Sequence, residues 1–317
     1  MFKKREIPVY LFTGFLDGGK TSFLKQTMDE GQFKDGLKTL YLVMEEGEVE
    51  IDEERLASNK FFVRTVEDED ELTEALLAKF DKEVGPGRVI IEANGMWDIQ
   101  ELFDAMPEHW MIAEVVTPVD STTFEMYLNN MKMMMTNQFL YSDLVLFNRC
   151  GDEYDRAMFK RMVRAVNRRA QILYESPDGK VEDNVPEEMP FDIDAPIVQI
   201  GDEDFGIFYI DILDYLSKYV GKTLSFKAIA YHPKEMKSAD MFVVGRNAMT
   251  CCAEDISLVG FPCRYDKAAE IKNDEWVKVT VKVQTAMNRK TNEPMPFLEA
   301  ISVEKTEPAE EDVVNFY

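Results

Sequence analysis

The stretch FTGFLDGGKTSF, residues 12–23, decides the fold. Within it Gly14, Gly18, Gly19, Lys20 and Thr21 satisfy the spacing G-x-x-x-x-G-K-[ST]. An apolar run, residues 9–12, precedes the loop, and a helical pattern opens at Ser22 behind it. That strand–loop–helix context turns a spacing into a mechanism. Glycines let backbone N–H groups wrap the β- and γ-phosphates of a nucleotide without Cβ clashes, the Lys20 ammonium neutralises them, and the Thr21 hydroxyl holds Mg²⁺. The expected binding residues are therefore Gly14, Asp17, Gly18, Gly19, Lys20, Thr21 and Ser22.

Working outward, the first half of the chain alternates short β-branched or aromatic runs with helical patterns, as βα units around a parallel sheet do. Strands are expected over residues 9–12, 39–43, 89–91, 114–119, 144–147 and 172–174, and helices over 22–29, 69–82, 123–140 and 153–168. Residues 176–194, rich in Pro, Gly, Asp and Glu, read as an excursion. After a helix around 207–219 the grammar changes to alternating runs at 224–228, 241–244, 276–283 and 297–303. The expected fold class is thus a doubly wound, mostly parallel P-loop α/β sheet followed by a smaller all-β, OB-like barrel. The domains run over residues 1–221 and 222–317, with a loosely held acidic tail at 304–312.

Composition sets limits on function. A chain of 317 residues with 45% apolar content can bury two cores. Sixty acidic against 36 basic residues give a net charge of −24, which repels phosphodiester backbones and argues against a nucleic-acid partner. The basic cluster at 160–169 reads as a solvated helix face. No run approaches the ~20 apolar residues of a membrane span, and residues 1–6 lead straight into a strand, so the expected location is the cytoplasm. Cys150, Cys251, Cys252 and Cys263 are unevenly spaced and read as reduced thiols.

Two further stretches carry chemistry. VIIEANG, residues 89–95, ends a buried strand in the Glu92 carboxylate and then Gly95. Such an acid can hold the Mg²⁺ shell or orient water, while the Gly95 N–H can sense a γ-phosphate. LVLFNRCGD, residues 144–152, sets Asn148 and Arg149 at a strand mouth where a base is read.

Taken in order, these motifs resemble the CobW/UreG/HypB group of P-loop GTPases, and most of all its CobW branch, over residues 5–175. The group's G-x-L-G-A-G-K-T is similar to residues 14–21, and its E-x-x-G to residues 92–95. Its acidic switch N-E-x-G-x-x-x-x-D resembles residues 45–52, carried here onto Glu46, Gly47 and Asp52. Its V-V-D resembles residues 116–120, and its run from a glutamine to N-K resembles Gln138 to Asn148. The resemblance implies GTP and Mg²⁺ as ligands. Departures stand beside it. The guanine-reading N-K-x-D is Asn148-Arg149-Cys150-Gly151 here, with its acid displaced to Asp152, and Asp17 replaces a loop glycine beside the phosphates. The group's C-x-C-C metal motif has no counterpart, because residues 59–68 hold no cysteine or histidine.

Residues 222–317 resemble the C-terminal region of YcgQ-type proteins, through Arg246, Cys251-Cys252, Asp255, Gly260, Trp276-Val277 and residues 296–298. Cys251, Cys252 and Asp255, with Cys263 as a third thiol, are candidate ligands for Zn²⁺ or another transition metal. The competing reading packs one cysteine in the core. His109 and His232 read as structural, and Met131, Met134 and Met135 as one core-facing side of a helix.

The function expected is a CobW-like GTP-binding protein with slow Mg²⁺-dependent hydrolysis, a switch or metallochaperone-like factor in metal homeostasis. Lys20 would be catalytic, with Glu46 or Glu92 orienting water. Its partners would be a nucleotide and a metal-requiring client protein or membrane permease. The alternatives are an ATP-using small-molecule kinase on the same loop and a scaffold that holds nucleotide without hydrolysing it.

Overall fold

A computed structural model of the chain describes residues 6–45, 47, 49, 51–183, 189–234, 236, 238–249, 255–288, 291–314 and 316. By backbone contacts the chain divides into two compact units, residues 1–156 with 169–185, and residues 157–168 with 186–317. Residues 186–221, which the change of sequence grammar places with the first domain, cluster with the second unit.

The first unit is built on a sheet of β1 (Ile7–Phe12), β2 (Thr39–Val43), β3 (Phe61–Thr65), β4 (Arg88–Glu92), β5 (Trp110–Asp120), β6 (Leu144–Asn148), β7 (Gln171–Glu175) and β8 (Val181–Glu182). Its order is β3-β2-β4-β1-β5-β6-β7-β8, parallel except for the β7–β8 pair. Every residue of β4 is buried, as expected for a strand covered on both faces. β1 lies between β4 and β5, so the chain changes winding direction at its carboxyl end, where α/β sheets open a ligand crevice. Register brings the strand ends to one edge: Phe12 stands beside Glu92 and Val116, and Asp120 beside Asn148.

Helix α1 (Lys20–Asp29) follows β1, and α2 (Glu53–Ser58), α3 (Glu74–Val84), α4 (Ile99–Ala105), α5 (Ser121–Asn130) and α6 (Lys132–Leu140) follow in chain order. Several boundaries differ from the sequence reading, each with a local cause. α3 starts at Glu74 because Thr73 caps it, accepting from the Leu76 N–H. The expected single helix over 123–140 breaks at Met131, where the Asn130 amide bonds the Met126 carbonyl and competes with the backbone ladder. α2, unforeseen, begins where the Asp52 carboxylate accepts from the Arg55 N–H. β3 went unseen because it is an edge strand with only Phe61 buried.

In the second unit, β10 (Thr223–Tyr231), β11 (Met241–Ala248), β12 (Ser257–Arg264), β13 (Trp276–Met287) and β14 (Pro294–Lys305) close a ring. β10 pairs with both β11 and β13, β14 with β13, and β12 runs parallel to β14. This is the strand order of an OB-like barrel. Val277, Val279, Val281 and Val283 alternate into its core, each such buried side chain being worth roughly 1.5–3 kcal/mol over exposure. Gly245 faces Gly260 where β11 and β12 approach too closely for side chains: a Cβ on Gly245 would lie 2.2 Å from the Val259 carbonyl. Gly260 and Pro262 hid β12 from the sequence reading.

Two edge strands, β9 (Val198–Gln199) and β15 (Val313–Val314), extend the sheet beside β10 and β11. The tail is therefore held, not loose: Val313 and Val314 pair with β11, and the buried Arg246 donates to the Glu311 carbonyl. The helix expected at 207–219 is two, α8 (Phe205–Asp214) and α9 (Leu216–Tyr219). Phe205 and Phe208 of α8 pack on Phe226 of the barrel at ring-centre distances of 5.7 and 5.6 Å. The basic helix α7 (Arg156–Val166) is not a solvated face: Arg164 pairs with Asp214 at 3.1 Å and Lys160 donates to the Tyr215 hydroxyl.

Candidate nucleotide site

The loop between β1 and α1 lines a cavity of about 180 Å³ whose walls include Asp17, Gly19, Lys20, Thr21, Glu45 and Glu92. α1 carries no side-chain cap, whereas α2, α3, α4 and α5 are each capped by an Asp or Thr. Its first N–H groups are therefore free to meet an anion at the positive end of the helix dipole. Gly19 holds φ +103°, and a Cβ there would lie 2.6 Å from the Asn148 amide nitrogen, so only glycine fits. Asp17 takes the left-handed φ of +57° that a short polar side chain tolerates, which accounts for an aspartate in a glycine position. Ser22 lies on the cavity rim beside Thr21.

Lys20 is only 5% exposed. Its ammonium donates to the Gly14 carbonyl at 2.7 Å, the Phe15 carbonyl at 3.0 Å and the Glu45 carboxylate at 2.6 Å. Beneath it, Glu92 accepts from the Thr21 hydroxyl at 2.8 Å and from the Tyr41 hydroxyl at 2.7 Å. Burial pushes the Glu92 carboxyl above its ordinary value, while the two hydroxyls and the Lys20 charge pull it the other way. Burial likewise raises the Tyr41 phenol, so it stays a donor.

A carboxyl raised in the folded state stabilises the fold while protonated and costs stability as pH climbs from about 4.5 through its raised value. Glu92→Gln keeps the shape, and the Thr21 and Tyr41 hydroxyls can each donate or accept. The variant, free of nucleotide, is expected to melt at a higher temperature than the wild type at pH 8, with a flatter dependence on pH. Melting curves from pH 4 to 8 check this, and parallel slopes for the two proteins would refute it.

Gly95 stands at the next strand end, packed on the phosphate loop, and one side chain ties the two together. Gln138 accepts from the Gly14 N–H at 2.9 Å and donates to the Gly95 carbonyl at 3.0 Å. Asn148 donates to the Gly18 carbonyl at 2.7 Å, and its buried Oδ1 has no partner among the described residues, leaving an acceptor for a ligand. Arg149, also left-handed, pairs with Asp120 on the rim. Asp152 is wholly exposed and bonds Arg156 at 3.5 Å.

Of the other expected site residues, Glu46, Cys251 and Cys252 lie outside the described residues, and among the described residues no group of three metal-ligating side chains includes Asp255. Cys263 is fully buried in the barrel, its thiol pushed up to about 12 by burial, so it is a packing residue and not a ready thiolate. Met135 is buried while Met133 is exposed. Glu45, Tyr41 and Gln138 were not singled out for these contacts. The signal for Glu45 was present, since the acid of N-E-x-G stands two places before its glycine, which from Gly47 is Glu45 and not Glu46.

The family model described as CobW/HypB/UreG, nucleotide-binding domain, matches residues 8–174. The chain belongs to the CobW/HypB/UreG family. The DUF1980 C-terminal domain matches residues 177–315, so a CobW-like nucleotide-binding domain is joined to a second module. Among curated proteins, the zinc chaperone YjiA of Escherichia coli is 25% identical over 183 residues, 52% of this chain and 56% of that protein. The UPF0703 protein YcgQ of Bacillus subtilis is 27% identical over 82 residues, 26% of this chain and 28% of that one. The chain thus matches about half the length of the first relative and less of the second. Among solved structures, Zn(II)-bound YjiA GTPase from E. coli superposes with a TM-score of 0.42 at 19% identity, covering 81% of this chain and 89% of that one. HypB from Archaeoglobus fulgidus gives 0.40 at 15%, covering 55% and 82%. No helix among the described residues is long and apolar enough to cross a membrane.

Proposed function

We propose that this CobW-family chain is a Mg²⁺-dependent GTPase that works as a slow nucleotide switch in metal homeostasis. The observation that carries the reading is the buried Lys20 ammonium beside an uncapped helix start, at the switch point of a parallel sheet. Lys20 and the N–H groups of the loop would stabilise charge developing on the transferred phosphoryl group. Thr21 and Glu92 present hard oxygen donors on the cavity wall and would hold Mg²⁺, which when bound neutralises phosphate charge. Glu92 is also the described acid able to orient water, and Gly95 would sense the γ-phosphate through its N–H. The name of the YjiA relative, a zinc chaperone, supports a metal-linked role; the recipient in this reading would be a client protein or a permease. Cys251 and Cys252 remain the thiols through which a transition metal would act.

A second reading, an ATP-using enzyme on the same loop, draws on Asp152, the acid one place beyond the guanine-reading position, which is exposed and paired with Arg156. Calorimetric titration with GTP and ATP in the presence of Mg²⁺ separates the two. GTP is expected to bind at least about tenfold more tightly, a difference of ~1.4 kcal/mol, and equal or reversed affinities would overturn the guanine assignment.

A further inference from the structure

A lysine ammonium has three N–H donors, and all three of Lys20 are engaged, by the Gly14 and Phe15 carbonyls and by Glu45. A phosphate oxygen can reach Lys20 only by displacing one of these partners. The two carbonyls belong to the loop that wraps the phosphates. Glu45 does not: it follows β2, in the stretch that leads to the Asp52 cap of α2, and its carboxylate is 11% exposed on the cavity wall. Its oxygen makes the same charge-assisted contact that a phosphate oxygen would make. A carboxylate and a phosphate on one ammonium in a buried site repel each other strongly.

Resting on the nucleotide reading above, we propose that Glu45 is a specificity-determining residue that stands in for the γ-phosphate on Lys20. A nucleoside triphosphate seats only by evicting it, whereas a diphosphate, its β-phosphate held by the N–H groups of the loop, leaves Glu45 where the γ group would sit. The eviction turns the Glu45 carboxylate off the ammonium, so the same contact that selects against the triphosphate reports its arrival. Glu45 thereby sets the ratio of triphosphate to diphosphate affinity without touching the base.

The test is calorimetry of the full chain with GDP and with a non-hydrolysable GTP analogue, both with Mg²⁺, for the wild type, Glu45→Gln and Glu45→Asp. Glu45→Gln keeps the shape and removes the charge. It is expected to bind the triphosphate analogue at least about tenfold more tightly, with GDP changed by no more than about threefold. Glu45→Asp keeps the charge and is expected to retain the wild-type preference, a rescue that general loosening of the segment would not give. Equal gains for both nucleotides, unchanged triphosphate affinity, or weaker binding in Glu45→Gln would each overturn the proposal. Should Glu45→Gln melt at a lower temperature than the wild type, the Glu45→Asp ratio decides. Failure of every protein to bind either nucleotide would instead overturn the nucleotide reading itself.

Discussion

Lys20→Ala is expected to lower Mg²⁺-dependent GTP turnover about 10²–10³-fold, the scale on which loss of one preorganised donor to developing charge acts. The expectation is large because Lys20 is buried in the loop and its ammonium lies between the Gly14 and Phe15 carbonyls and Glu45. Alanine also leaves the Glu45 carboxylate facing the phosphate seat with no cation to offset it, which adds repulsion to the lost attraction. Glu45 can turn towards water, so stability should suffer far less than activity, by less than about 5 °C in melting temperature. Turnover assays beside melting curves check both halves. Turnover within threefold of wild type would remove Lys20 from the chemistry, and with it the GTPase reading.

The second large effect concerns Gly95. A Cβ at this position would lie 2.5 Å from the Gly14 carbonyl oxygen and 2.8 Å from the Gly14 carbonyl carbon and the Phe15 Cα. All three are backbone atoms of the phosphate loop, so no side chain can turn aside to make room. Gln138 bonds both the Gly14 N–H and the Gly95 carbonyl, so parting the two segments also strains its amide. Gly95→Ala is expected to cost about 1–3 kcal/mol of stability, as overpacking does, and to weaken nucleotide binding at least tenfold by opening the loop. Chemical denaturation and the GTP titration measure the two costs. Wild-type values in both would mean that the strand end and the loop move independently.

Much of the fold was legible from short-range pattern. Residues 12–23 name the loop, and the apolar runs at 39–43, 89–91 and 144–147 are strands within one or two residues of their structural limits. β3 and β12 were not legible, the first because an edge strand need bury only one residue of its five, the second because Gly260 and Pro262 read as turn chemistry. In the site, the residues singled out from the sequence, Lys20, Thr21, Glu92, Gly95 and Asn148, lie around the loop. Glu45 escaped because neighbouring acids in an irregular segment carry no periodicity that says which of them points inward.

The sequence by itself determined that a glycine-rich loop links a strand to a helix, that a parallel sheet carries it, and that an alternating β module follows. These depend on φ/ψ limits and on side-chain periods of about 2 and 3.6, which are set by near neighbours along the chain. Only the tertiary structure decided that Glu45 occupies Lys20, that Gln138 joins Gly14 to Gly95, and that Asn148 reaches the Gly18 carbonyl across 130 residues of chain. It also decided that the five strands β10 to β14 close on themselves. Such contacts follow from strand order and register, which bring distant residues to one sheet edge, and no local rule of spacing encodes that order.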